Sequence, residues 1–228
     1  MIKNLLEIKN LKKSFEHKNG NIELFKNVNI KVKPGELIAL VGPSGSGKST
    51  FLHLLALLDH STKGKILFDG NDTQNFDEYQ KEKLRRNRIS IIFQENNLLS
   101  DFTALENIIM PLIIRGEKKS LSIVKAIKIL KDVKLFNRNN HFPSELSGGE
   151  QQRVAIARSL VAETDLILAD EPTGNLDFKT SENIFSYFLK LKKMNKAIIF
   201  ATHNRELANK ADYMLSISNG NIKRVNAR

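Results

Sequence analysis

The sequence predicts an α/β fold, with a mostly parallel sheet core, an antiparallel β subdomain and an inserted helical subdomain. Three observations lead there. Short apolar runs at 37–41, 166–169 and 197–201 alternate with helical stretches, the order that gives parallel strands covered by helices. A glycine-rich loop separates the first of these runs from a helix. From about residue 95 to 161 the pattern turns helical. The 228 residues suffice for one hydrophobic core, so a single domain, 1–228, is expected. Its core would be 1–93 and 162–228, and its helical subdomain about 95–161.

The elements follow in order. Strands are expected at 5–8 and 28–32, the second alternating apolar and polar residues. Pro34-Gly35 makes a turn. The strand at 37–41 leads through the glycine loop to a helix at about 49–58. A strand at 65–68 closes on Asp69-Gly70; a basic helix covers 79–88 and a strand 89–93. In the helical middle, Val124, Ile127 and Leu130 fall at helical spacing over 121–133. Then come strand 166–169, helix 181–193, strand 197–201, helix 205–211, strand 214–217 and a turn at Asn219-Gly220.

Composition narrows the classes. There is no cysteine, which excludes disulfides, thiolate nucleophiles and cysteine-zinc sites and suits a cytosolic protein. The five histidines, His17, His53, His60, His141 and His203, show no metal-ligand spacing. No apolar stretch approaches the roughly 18–20 residues needed to cross a bilayer. Residues 1–10 lack the features of a secretory signal. The net charge of +11 fits attraction to polyanions or a solvated lysine surface, and no block of like charges decides between them.

Gly42-Pro43-Ser44-Gly45-Ser46-Gly47-Lys48-Ser49 satisfies G-x-x-x-x-G-K-S/T at every fixed position. Glycines let the backbone wrap phosphates and aim N–H groups inward, and the following helix points its partly positive end at the same anions. Lys48 supplies full charge near the β- and γ-phosphates, and Ser49 offers a hydroxyl to Mg²⁺. Because the motif follows an apolar strand and opens a helix, the fold is expected to be that of a P-loop NTPase, with ATP and Mg²⁺ as cofactors. The run 166–169 ends in Asp170 and Glu171. Neighbouring strand residues face opposite sides, so two adjacent acids can divide the work. Asp170 is the candidate for Mg²⁺ and Glu171 for polarising the attacking water.

Leu146-Ser147-Gly148-Gly149-Glu150-Gln151-Gln152-Arg153 makes the reading specific. It resembles the signature of ABC-type ATPases, and the resemblance extends over essentially the whole chain. Ser147 and Glu150 form a capping box for a helix carrying Val154, Ala157, Leu160 and Val161 on one face. Paired glycines in a first turn weaken a helix. They make sense where that tip must approach another molecule. The resemblance implies that this molecule is ATP on a second copy. Two chains would pair head to tail with two ATP between them. Each ATP would lie between the phosphate loop, including Thr50, of one chain and Ser147, Gly148 and Gly149 of the other.

Further markers come with the resemblance. Gln94 resembles the Q-loop glutamine, which contacts nucleotide and Mg²⁺. Asn175-Leu176-Asp177 resembles the D-loop, placing Asp177 at the nucleotide. His203 resembles the switch histidine, catalytic with Glu171 and Lys48. Phe15 sits where the family stacks an aromatic, often Tyr, on adenine. Asn204 stands where an acid is frequent. Residues 96–107 look most like the lipoprotein-releasing (Lol) ATP-binding subunit and also resemble macrolide-export and cell-division ATPases. The resemblance implies integral membrane partners contacted through about 101–107, no nucleic acid, and a peripheral place on the cytoplasmic face of the inner membrane. A soluble ABC ATPase acting on ribosomes or nucleic acid is the rival class; a single cassette without a long heptad run favours transport.

Overall fold

The computed structural model describes residues 3–17, 20–174 and 176–226. Two sheets are built around helix α1 (Lys48–Leu55). The antiparallel sheet runs β2-β1-β4-β5, from β1 (Leu6–His17), β2 (Gly20–Val32), β4 (Lys63–Phe68) and β5 (Asn71–Asp72). The larger sheet runs β10-β9-β3-β8-β7-β6. Its strands are β3 (Leu37–Val41), β6 (Ile89–Ile92), β7 (Leu166–Asp170), β8 (Ala197–Ala201), β9 (Tyr213–Ser218) and β10 (Asn221–Asn226). All its neighbours pair in parallel except β9 with β10. The remaining helices are α2 (Glu78–Arg88), α3 (Ala104–Ile114), α4 (Lys119–Asp132), α5 (Gly148–Leu160), α6 (Phe178–Lys193) and α7 (Arg205–Asn209).

Strand alternation distributes β3 between two apolar cores. Leu37 and Ala39 face one that holds α3 to α6; Ile38 and Leu40 face the other, with Phe51 of α1 and the antiparallel sheet. Central strands buried on both faces read as unbroken apolar runs, as β7 and β8 do.

The differences from expectation have local causes. α1 stops at Leu55 rather than near 58, because Leu57 adopts a left-handed backbone (φ 57°). α6 starts at Phe178, three residues early, since Asp177 caps it. α7 ends at Asn209, and β6 ends one residue short of Phe93. β1 and β2 extend much further than expected, to 12 and 13 residues. Register shifts in β1 at residues 8–14 break the alternation that would mark the full length. Asn219 and Gly220, both at positive φ (50° and 75°), make a tight hairpin turn into β10, a strand the hydropathy pattern missed.

At the N-terminal end of the parallel strands, an ion cluster ties layers together. The Asp165 carboxylate accepts from Arg88 Nε and, at 3.0 Å, from Lys196 Nζ; Arg88 Nη2 also reaches Asp69 at 2.8 Å. Partial burial pushes the Asp165 pKa up, but these cations outweigh it and leave the net shift downward. A lowered folded pKa contributes stability above the unfolded pKa and loses it as pH falls through the folded value. Asp165→Asn should therefore lose about 1–2 kcal/mol at pH 7. The deficit should shrink below about pH 4. Urea unfolding at both pH values measures it, and equal stability at pH 7 would remove the cluster from this role.

Candidate active site

Parallel register brings the separated motifs to one edge. Leu40 pairs with Ala201, Asp170 with Ala201, and Ile92 with Ala169. Gly42, Glu171, His203 and Gln94 therefore leave the sheet at its carboxyl end, where loops of open α/β sheets build sites. A groove of about 650 Å³ lies beside this edge, between Gly42, Thr202 and His203 on one side and Ala208, Met214 and Val225 on the other; Lys48, Asp170 and Glu171 do not line it.

The phosphate loop joins β3 to α1. A Cβ at Gly42 would lie 2.8 Å from Ser46 Oγ and 2.9 Å from the Ile217 carbonyl oxygen. Gly47 combines φ +96° with contact to Leu24 of β2. Only glycine fits either position. The Ser46 hydroxyl is buried without a hydrogen-bond partner, a donor suited to an oxyanion. Lys48 is 8 % exposed, and its ammonium donates to the carbonyls of Gly42 (3.0 Å) and Pro43 (3.2 Å). Pro43, Ser44 and Gly45 are exposed along the loop; Ser49 and Thr50 follow in the first turn of α1.

Asp170 ends β7 at 6 % exposure, with no ion-pair partner among the described residues, which suits a bound cation. Among those residues no group of three His, Asp or Glu side chains could hold a metal alone. A divalent cation at Asp170 would therefore need oxygens from a bound ligand to complete its shell. Glu171 takes a left-handed backbone (φ 46°), costly for a non-glycine residue and common where function fixes geometry. Its Oε2 accepts from the His203 backbone N–H at 3.3 Å. Its Oε1 is buried and has no hydrogen bond, although His203 Nε2 lies 3.3 Å away. Burial raises the Glu171 pKa and the Asp170 charge adds to this; His203 and Lys48 oppose it without cancelling it.

Asn204, after His203, caps α7 through Oδ1, accepting from the N–H groups of Glu206 (2.9 Å) and Leu207 (3.2 Å). Gln94 is exposed beyond β6. Asp177 caps α6, its oxygens taken by Thr180 N–H (3.0 Å) and Oγ1 (2.6 Å). Asn175 lies outside the described residues. Phe15, on β1, is 43 % exposed.

The Ser147 tip forms the full capping box: Glu150 Oε2 accepts from Ser147 N–H and Oγ, both at 2.9 Å, and Ser147 Oγ accepts from Glu150 N–H. These bonds from Ser147 lower the Glu150 pKa, with Arg138 adding to them. A Cβ at Gly148 would meet nothing within 4 Å. Its own chain does not require a glycine there. The described faces of Val154, Ala157, Leu160 and Val161 are buried in the core.

Residues 25–174 match the family model described as ABC transporter. The chain belongs to the ABC transporter family. This ABC ATPase is 45 % identical over 222 residues to the lipoprotein-releasing system ATP-binding protein LolD of Rickettsia bellii (strain RML369-C), covering 96 % of this chain and 98 % of that one. Its identity to the LolD of Syntrophus aciditrophicus (strain SB) is 42 % over 219 residues, with 96 % and 98 % coverage. A solved dimeric structure of a post-hydrolysis state of the ATP-binding cassette MJ0796, bound to ADP and Pi, superposes with TM-score 0.93 at 37 % identity, covering 98 % of this chain and 99 % of that chain.

Several side chains of this ABC ATPase make contacts that its motifs did not foretell. Gln152, 1 % exposed, donates to the Pro172 carbonyl at 3.4 Å and so links the signature helix to the loop after Glu171. Asn107, fully buried, donates to the carbonyls of Leu99, Phe102 and Thr103 and accepts from Leu99 N–H, fixing the loop before α3. A groove of about 400 Å³ has apolar walls from Leu99, Met110, Pro111 and Ile114 and arginines Arg115 and Arg158. The Gln152 contact and the groove walls join residues far apart in sequence, which no local pattern marks, whereas Asn107 works within eight residues through a buried amide. Among the described residues no helix is long and apolar enough to cross a membrane.

Proposed function

We propose that this chain is the ATP-hydrolysing subunit of a lipoprotein-releasing complex. It would act as a homodimer held on integral membrane subunits at the cytoplasmic face of the inner membrane. The observation that carries this reading is near-full-length identity of 40–46 % to the LolD proteins.

The chain's own residues divide the chemistry. The Gly42–Ser49 loop and Lys48 hold the phosphates, while Phe15 stacks on the base. Ser49, Asp170 and Gln94 would hold Mg²⁺, which supplies charge neutralisation at the β- and γ-phosphates. Glu171 Oε1 accepts a proton from the attacking water, and His203 orients that carboxylate and the γ-phosphate. Ser147, Gly148 and Gly149 of the second copy bring a helix N-terminus to the same phosphate, with Asp177 alongside. Residues about 95–161 form the unit that carries closure to the membrane subunits. The apolar groove beside Leu99 and Ile114 offers them a seat, and residues 101–107 would make a further contact.

Purification from membranes, followed by reconstitution with a lipid-anchored protein in liposomes, tests the reading. The expected result is copurifying membrane subunits and ATP-dependent release of the anchored protein. Copurifying ribosomal particles, or stimulated turnover without release, would move the chain to another ABC class.

A further inference from the structure

We propose that Lys13 is a positioning residue of the nucleotide site, a buried cation that holds the Phe15 ring and prepares its open face for adenine. The proposal rests on the reading of Phe15 as the base-stacking aromatic.

Among the described residues only two lysines are buried, Lys48 of the phosphate loop and Lys13, each 8 % exposed. A lysine is seldom buried without a task, because its ammonium must exchange water for fixed partners. Lys13 Nζ donates to Asp59 Oδ1 at 2.7 Å and to the His60 carbonyl at 2.9 Å. The same ammonium lies 4.7 Å from the centre of the Phe15 ring. Phe15 otherwise stands 43 % exposed, so its ring has one face against the cation and surface left for a ligand.

Two physical effects follow. A cation on one face of an aromatic ring draws electron density toward itself, and the opposite face then stacks better on an electron-rich purine. The anchors also fix distance. Asp59 follows the helix that begins at Lys48, so the Lys13–Asp59 pair ties the base-binding strand to the phosphate-binding helix. Leu24 of β2, the strand paired with β1, presses against Gly47 and ties the same sheet to the start of that helix. Base and phosphates are thereby held at a set spacing. Nothing in the sequence marked Lys13, which follows Lys12 in an ordinary basic stretch.

The test compares two ligands on the full-length chain, ATP and inorganic tripolyphosphate, each with Mg²⁺. They share phosphates and differ in the base. Lys13→Met should weaken ATP about three- to tenfold, while tripolyphosphate binding stays within about twofold. Lys13→Arg should restore most of the ATP affinity. Phe15→Ala should also weaken ATP alone, and Lys13→Met should add nothing in that background. Equal loss for both ligands would place Lys13 in the fold or at the phosphates and overturn the proposal, as would a persisting effect in the Phe15→Ala chain. An effect of Phe15→Ala without one of Lys13→Met sinks only the proposal. No effect of Phe15→Ala sinks the stacking reading itself. If Lys13→Met does not fold, Lys13→Gln, which keeps a donor for Asp59 and the His60 carbonyl but removes the charge, gives the same comparison.

Discussion

Glu171→Gln should leave ATP binding and ATP-driven pairing intact while phosphate release falls by at least about a hundredfold. The substitution keeps the shape of the side chain and one acceptor oxygen, but an amide takes no proton from water. Geometry singles out Glu171 Oε1 for that task, since it is buried without a hydrogen bond while Oε2 is held by His203 N–H. Burial raises the carboxyl pKa, so Glu171 is a stronger base than a solvated glutamate. The acid limb of the wild-type rate should accordingly lie above the ordinary glutamate value of about 4.3. Stability carries the matching sign. A raised folded pKa contributes stability below the unfolded pKa and loses it as pH rises through the folded value. Ionised Glu171 is thus a burden at neutral pH, and the Gln chain should be at least as stable as wild type at pH 7. Phosphate release and ATP-dependent size shift measure the two activities. Near-normal turnover would remove Glu171 from the role of base.

Gly148→Asp should abolish pairing and cut turnover by about a hundredfold or more while leaving the fold intact. The first part follows from charge: a carboxylate at the first residue of α5 would stand where a second copy's γ-phosphate is expected to dock, and like charges so placed repel. The second follows from space. A Cβ at Gly148 meets nothing, and an acid in a helix's first turn favours its dipole by about 0.3–1 kcal/mol. Urea unfolding should therefore show equal or greater stability, with ATP still bound by the single chain. A destabilised variant would mean that the glycine serves its own fold. A stable and fully active one would mean that the tip touches no phosphate.

These two expectations draw on features of unequal legibility. The buried parallel strands could be read to within a residue, because burial on both faces leaves an unbroken apolar run, as in β3 and β8. β10 could not, since Asn221–Asn226 is an edge strand with mostly exposed side chains and only its turn signalled it. The length of β1 was hidden by its irregular register. Site residues contiguous in sequence, such as Gly42 to Ser49, announce themselves because one loop must wrap one group of phosphates. Lys13 did not, because its meaning depends on Asp59, 46 residues away. Gln152 likewise acquires a role only through Pro172. The left-handed backbone of Glu171 had no signal at all, since its residue type gives no hint of it.

The open space around Gly148 carries a genetic corollary. If catalysis needs a helix tip lent by a twin, a spoiled allele does harm beyond its own product. In a cell making sound and spoiled chains equally, random pairing leaves only about a quarter of the pairs fully sound. Half the pairs would be hybrids with one competent seat. A tip lesion that spoils catalysis yet still allows pairing should therefore behave as a dominant trait, whereas one that prevents pairing or unfolds the chain should be recessive.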